Sequence, residues 1–184
     1  MAREPEILFT TEEIAASVTR IAGAISRDYA DRTPLLIGVL KGAFVFLADL
    51  VRHLSIPVEI DFVKLSSYGN EMESSGEVRT IAGLEQSVEG RDVIVVEDIV
   101  DSGVTLNHFL EDLRSRGPAS VKLCVLVDKT ARREIEVQID YAGMQIDDEF
   151  IVGYGIDCGE QYRYLPDIRF VQNEPEVEQE ESTP

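Results

Sequence analysis

Basic residues are scarce in this sequence. Only 17 of its 184 residues are Lys or Arg, against 35 Asp or Glu, and the formal net charge at pH 7 is −18. Nucleic-acid binding requires basic patches, so this balance argues against a nucleic-acid partner. The segment 173–184 carries five glutamates and no base, and without it the net charge is still −13. We predict that this segment is a disordered, solvated tail.

Cysteine and long apolar runs are scarce as well. The two cysteines, Cys124 and Cys158, have no framework spacing, which argues against a disulfide scaffold and fits a reducing, cytoplasmic location. No cluster of cysteine and histidine suggests zinc. No apolar segment approaches the roughly 20 residues of a membrane-spanning helix, and the charged segment 1–6 is unlike a signal peptide. We therefore expect no membrane partner.

The apolar residues that are present follow two alternating periods. With 44% hydrophobic residues the chain has an ordinary globular composition, and its length suits one domain, predicted over residues 1–172. Strand-like and helix-like runs alternate, which predicts an α/β fold. The predicted strands are 35–40, 58–65, 80–84, 93–96, 121–127, a short one near Tyr141, 150–154 and 168–171. The predicted helices begin at a capping box over 10–13, at 43 and at 105.

The most informative segment is 93–105. An apolar run, typical of a buried parallel strand, stops at Glu97 and Asp98, which predicts that these acids lie at the C-terminal end of the strand. Ligands bind at that edge of open α/β sheets. Asp101 and a turn of small and hydroxyl residues follow and lead into a helix, where backbone N–H groups can bind a phosphate. A phosphate beside carboxylates suggests a phosphorylated sugar or bound Mg²⁺, although paired acids also occur in plain solvated loops.

Charged residues follow three of the predicted strands. Lys41 follows the predicted strand 35–40, the 97–105 group follows 93–96, and Lys129 follows 121–127. Because the carboxyl ends of parallel strands meet at one edge of a sheet, we expect these residues to converge there.

The order of residues in 97–105 resembles the phosphoribosyl pyrophosphate signature of the type I phosphoribosyltransferases, and no Walker loop is present. Over residues 11–171 the chain is similar to the hypoxanthine (hypoxanthine–guanine) members of that family. The motifs that carry this resemblance are Leu40-Lys41-Gly42, Ser67-Tyr68-Gly69-Asn70, Glu97 to Thr105, Leu126-Val127-Asp128-Lys129, Phe150 to Asp157 and Tyr162-Arg163.

The resemblance implies a fold and an activity. The expected fold is a mostly parallel central sheet flanked by helices, with a small hood and a mobile loop over 66–79. The expected reaction is Mg²⁺-dependent transfer of the phosphoribosyl group from 5-phosphoribosyl 1-pyrophosphate to a 6-oxopurine base. The family also implies a homodimer or homotetramer and a cis peptide bond between Leu40 and Lys41.

The resemblance also assigns roles to individual residues. Asp101 is the candidate general acid or base at purine N7, with a helix N-cap as the alternative reading. Lys129 is assigned to the 6-oxo group, Phe150 to stacking on the purine and the Ile151 backbone to the purine edge. Asp157 is assigned to a second Mg²⁺ or to the backbone network on the base side. The remaining residues are assigned to the sugar and its phosphates: pyrophosphate at Lys41, Gly42 and Arg163; ribose hydroxyls and Mg²⁺ at Glu97 and Asp98; the 5′-phosphate at Ser102, Gly103, Val104 and Thr105; and loop closure by Ser67 and Tyr68.

Several alternatives remain open at this level. Lys41 is also typical of a plain surface lysine, Arg163 of a surface ion pair and Phe150 of core packing. The whole chain is also compatible with a phosphoribosyltransferase that prefers xanthine or another base, or with a regulatory protein that only binds the ribosyl pyrophosphate.

Overall fold

The computed structural model describes residues 5–65 and 80–171. Predictions for Ser67, Tyr68, the 66–79 loop and the acidic tail fall outside these residues. The elements are β1 (Glu6–Phe9), α1 (Thr11–Asp28), β2 (Leu35–Leu40), α2 (Phe44–His53), β3 (Glu59–Leu65), β4 (Thr80–Ala82), β5 (Asp92–Val100), α3 (Val104–Ser115), β6 (Ser120–Lys129), β7 (Tyr141–Ile146), β8 (Ile151–Val152) and β9 (Ile168–Phe170).

A six-stranded sheet with the order β4-β3-β2-β5-β6-β7 forms the centre of the molecule. The five strands from β3 to β7 in this order are parallel, and β4 alone runs antiparallel, on β3. The prediction of a mostly parallel sheet is therefore confirmed.

Helices cover both faces of this sheet. Alternate strand residues point to opposite faces, so one face buries Leu36, Ile94 and Cys124 against α1 and α2. The other face buries a second set, Leu35 and Val93 among them, against α3. Burial on both faces explains why these strands are continuous apolar runs instead of alternating ones.

The start of α1 confirms the predicted capping box. The Thr10 hydroxyl accepts from the Glu13 amide, and the Glu13 carboxylate accepts from the Thr10 amide at 2.8 Å. Two amides that the helix leaves without partners are thereby satisfied.

The strands β1, β9 and β8 form a second, antiparallel sheet in that order, and Ile151 and Ile168 of this sheet pack in the same core cluster as Leu36 and Ile94. The strand β1 is not predictable from the sequence pattern, and the predicted strand over 150–154 is shorter in the structure, where β8 contains only Ile151–Val152. That strand ends early because Gly153 and Tyr154 both have positive φ, +99° and +50°.

The strand β5 also differs from its prediction. It continues through Glu97 and Asp98 to Val100, since Ile99 and Val100 still pair with Val127 and Asp128 of β6. The two acids therefore lie within the last part of the strand and not beyond its end. Within residues 5–65 and 80–171, no helix combines the length and apolar composition that crossing a membrane requires.

Candidate functional site

The three charged groups predicted to converge do so at one edge of the central sheet. Strands β2, β5 and β6 are parallel neighbours, so their carboxyl ends lie side by side. Lys41 follows β2, Asp101 follows β5, and Lys129 is the last residue of β6. Two clusters of side chains form here, one around Lys41 and one around Lys129.

Gly42 lies directly against the Asp98 carboxylate. A Cβ atom at position 42 would lie 1.8 Å from Oδ2 of Asp98, so only glycine allows this approach. Gly155, with φ of +99°, also lies close to Gly42, because a Cβ atom at position 155 would lie 2.4 Å from the Gly42 carbonyl oxygen. The Leu40–Lys41 peptide bond is cis, as expected. Three predicted motifs therefore meet around Gly42.

Glu97 and Asp98 form a closely coupled pair of carboxyl groups. Asp98 is only 8% exposed. The pKa of Glu97 is well above its usual range, first because burial disfavours its charged form and then because Asp98 is nearby. Ionisation of both carboxyl groups at once is therefore disfavoured.

The cluster around Lys41 contains the predicted pyrophosphate ligands. Arg163 contacts Asp157 at 2.7 Å and donates to the Gly155 carbonyl oxygen at 2.8 Å. Glu160 joins the two cations, at 2.8 Å from Lys41 and 3.4 Å from Arg163. The hydrogen bond from Lys41 lowers the pKa of Glu160 below its usual range. Glu160 was not predicted, because it lies in a turn without periodicity between two motifs.

The second cluster centres on a buried lysine. Lys129 is only 4% exposed, and its Nζ atom lies 4.0 Å from Asp101 and 3.3 Å from Asp148. The pKa of Asp148 is lowered by hydrogen bonds from Arg132 and then from Lys129. Asp148 was not predicted either, since no pattern in the loop before β8 distinguishes it from Asp147.

The predicted purine-stacking residue is accessible. Phe150 is 44% exposed, so plain core packing does not account for it, whereas the next residue, Ile151, is buried in β8. The roles assigned to Phe150 and Ile151 remain predictions.

The predicted phosphate loop precedes α3. Gly103, with φ of +81°, is the N-cap of this helix, so Asp101 is not the cap. The Val104 amide donates to the Ser102 hydroxyl at 3.4 Å, and Thr105 opens the first turn with Val104. The positive end of the helix dipole and the backbone N–H groups of this turn suit a phosphate.

The donor set suits Mg²⁺. Among the described residues no group of three or more His, Cys, Asp or Glu side chains lies close enough to hold a metal ion by itself. Mg²⁺ normally binds one or two protein carboxylates and completes its coordination with water and substrate phosphates. The coupled carboxyl groups of Glu97 and Asp98, and the carboxylate of Asp157, offer donors of that kind.

Comparisons with known proteins agree with this geometry. The sequence model of the phosphoribosyl transferase domain matches residues 6–158. The chain is 45% identical over 163 residues to the hypoxanthine-guanine phosphoribosyltransferase of Bacillus subtilis, covering 89% of this chain and 91% of that protein. It is 46% identical over 165 residues to the enzyme of the same name from Dictyostelium discoideum, covering 88% and 92%.

A solved structure is similar over nearly the whole chain. The crystal structure of a hypoxanthine-guanine phosphoribosyltransferase from Bacillus anthracis has a TM-score of 0.86 at 44% identity, covering 94% of this chain and 100% of that one. The matched range 6–158 includes Lys41 and Asp157 of one cluster and Asp101 and Lys129 of the other. The chain therefore belongs to the phosphoribosyl transferase family.

Proposed function

We propose that this protein transfers the 5-phosphoribosyl group of 5-phosphoribosyl 1-pyrophosphate to hypoxanthine, guanine or both, giving IMP or GMP and pyrophosphate in purine salvage. The observation that carries this proposal is the buried Lys129, 4.0 Å from the Asp101 carboxylate at the open sheet edge. A lysine only donates hydrogen bonds, so it favours a 6-oxo group over a 6-amino group. The names of the similar enzymes support the same assignment.

Asp101 is the proposed general acid or base at purine N7. Its side chain is half exposed, so a purine that donates to it can approach from solvent. As the purine attacks the sugar, a carboxylate at this position takes the N7 proton. Lys129 holds the 6-oxo oxygen, Phe150 stacks on the ring, and the Ile151 backbone contacts the purine edge.

The other cluster acts on the leaving group. Breaking the bond between ribose C1 and pyrophosphate develops negative charge on the pyrophosphate and positive charge on the sugar. Lys41, the Gly42 amide and Arg163 are the proposed pyrophosphate ligands, and the planar guanidinium suits two phosphate oxygens at once. Because Glu160 now contacts both cations, the substrate must displace its carboxylate.

Glu97 and Asp98 are proposed to accept hydrogen bonds from the ribose hydroxyls and to hold Mg²⁺, and Asp157 is proposed to hold a second Mg²⁺ ion. A bound Mg²⁺ ion would neutralise developing charge on the leaving pyrophosphate. The turn Ser102, Gly103, Val104 and Thr105 is proposed to bind the 5′-phosphate. The proposed closure by Ser67 and Tyr68 concerns residues outside those described.

We also propose that the protein is cytoplasmic and associates with itself as a homodimer or homotetramer. Both cysteines are free thiols, which fits a reducing compartment. Phe44 and Tyr164 are exposed aromatic residues beside an apolar groove between α1 and α2, and such patches commonly mark protein contacts. Light scattering of the full chain at several concentrations tests self-association.

The direct test of the activity is a substrate panel. Initial rates with 5-phosphoribosyl 1-pyrophosphate and Mg²⁺ are measured for hypoxanthine, guanine, xanthine, adenine and uracil. We expect turnover of hypoxanthine or guanine and none of adenine. The Asp101→Asn variant should lose about 10²–10⁴-fold in kcat, the usual contribution of a general acid or base.

Two other results would contradict the proposal in different ways. Turnover of xanthine or a pyrimidine alone would assign the same chemistry to another base. Binding of the ribosyl pyrophosphate without turnover of any base would indicate a regulatory protein.

A further inference from the structure

Arg133 lies behind the site and has no role in the chemistry described above. Its side chain is only 11% exposed, although it lies in the irregular segment between β6 and β7. Its Nε atom donates to the Asp101 carbonyl oxygen at 2.9 Å. Its Nη2 atom donates to the carbonyl oxygens of Val100 at 3.4 Å and Lys129 at 3.3 Å, and to the Asp128 carboxylate.

These hydrogen bonds connect the C-terminal ends of β5 and β6 at the point where backbone pairing between the two strands ends. The last paired residues of β5 and β6 are Val100 and Asp128. Asp101 and Lys129, the next residues, therefore have no direct backbone pairing with each other. The rigid donor fork of an arginine can bond several acceptors in one plane, which a lysine ammonium cannot reproduce. Arg133 thus links Asp101 and Lys129 through their carbonyl oxygens, where no backbone pair links these two residues directly.

The same segment supports the phosphate loop. The amides of Glu134 and Ile135 both donate to the Ser102 carbonyl oxygen, at 3.0 Å and 3.1 Å. A Cβ atom at Gly103 would lie 2.6 Å from the Ile135 carbonyl oxygen and 3.3 Å from Cδ of Arg133. The arginine stem therefore packs directly beneath the turn that follows Asp101.

We propose that Arg133 is a positioning residue that fixes the separation between the Asp101 carboxylate and the Lys129 ammonium group, so that one purine meets both. It touches neither substrate and acts through the backbone of these two residues. This inference rests on the proposed function, because the separation matters only if both groups contact the same base.

The test compares Arg133→Gln and Arg133→Lys with the unmodified full-length protein. We expect kcat with hypoxanthine or guanine to fall about 100-fold for Arg133→Gln, the scale of a 1 Å misplacement, and less for Arg133→Lys. The KM for 5-phosphoribosyl 1-pyrophosphate should stay near its original value. Circular dichroism and thermal unfolding establish that each variant is folded.

Arg91→Gln is the matched control. Arg91 is a partly buried arginine at the opposite end of β5, where it contacts Glu59 at 3.0 Å. Its loss should lower stability without changing kcat. If Arg91→Gln reduces kcat as much as Arg133→Gln does, the effect is one of general stability and the proposal is wrong.

A double-mutant cycle separates positioning from a purely structural role. If Arg133 acts through Asp101, the change Arg133→Gln should cost much less in the Asp101→Asn background, because the two residues then act as a unit. Three results would overturn this inference and leave the proposed function standing. They are fully additive losses, full activity of folded Arg133→Gln, and loss of cooperative unfolding in both Arg133 variants. An unmodified protein without activity on any base would overturn the proposed function and this inference with it.

Discussion

Glu97 shows at the residue scale how a binding site can oppose stability. Its raised pKa means that the fold disfavours the ionised carboxyl relative to the unfolded chain, where the group titrates near 4.5. Above its folded-state pKa the carboxylate therefore destabilises the protein. Below about pH 4.5 the group is protonated in both states, and this penalty disappears.

The variant Glu97→Gln should accordingly be more stable than the parent at pH 7 without divalent cations. A gain of about 1 kcal/mol would raise the melting temperature by about 2–4 °C in a chain of this size. The difference should shrink as the pH falls through the folded-state pKa, and activity should fall at every pH. Thermal unfolding from pH 4 to pH 8 measures this, with exposed Glu89→Gln as the control. A less stable Glu97→Gln at pH 7 would contradict the assigned direction.

Residues at strand ends were predictable from the sequence, whereas their partners in loops were not. Lys41, Asp101 and Lys129 each follow an apolar run, and parallel topology brings such positions together. Asp148, Glu160 and Arg133 lie in turns without periodicity. Their contacts depend on loop paths that only the folded chain defines, such as the approach of segment 133–135 to Ser102.

At the scale of elements, local pattern predicted the parallel strands but not the small sheet. The strand β1 has four residues, two of them exposed, and pairs with β9 about 160 residues later, Glu6 opposite Phe170. The extension of β5 to Val100 likewise depends on pairing with β6 and not on apolar composition.

A buried carboxylate fixes the chain that follows β4. Asp61 in β3 is buried, and its Oδ2 atom accepts from the amides of Glu85 at 2.9 Å and Gln86 at 3.0 Å. The other oxygen, Oδ1, accepts from the Phe62 amide at 2.7 Å. An asparagine has only one acceptor oxygen, so it cannot serve both sets of amides, and we expect Asp61→Asn to destabilise the protein by about 1–3 kcal/mol. Urea unfolding measures the loss.

Hydrogen exchange locates the same effect. Exchange at the Glu85 and Gln86 amides should accelerate in Asp61→Asn more than exchange in β6. Exposed Asp31→Asn provides the matched control and should change neither quantity. Equal stability of Asp61→Asn and the parent would show that these hydrogen bonds contribute little.

At the scale of the whole molecule, the charge of −18 predicts a dependence of stability on salt. Like charges repel more strongly in the compact state than in the extended chain, and salt screens this repulsion. The Debye length falls from about 10 Å at 0.1 M to about 3 Å at 1 M ionic strength. The melting temperature should therefore rise as sodium chloride is added at constant pH.

A chain that ends at residue 172 separates the body from the acidic tail. It keeps a charge of −13, so most of the salt response should persist after truncation. If the salt response disappears in the truncated chain, the response of the full chain comes from repulsion between the tail's five glutamates and the body. The body's own charges would then be balanced locally. A melting temperature that falls with salt would mean that attractive pairs such as Arg32–Asp92, at 3.1 Å, outweigh the net repulsion. The direction of the salt response thus decides whether the excess acidity costs stability or is organised into favourable pairs.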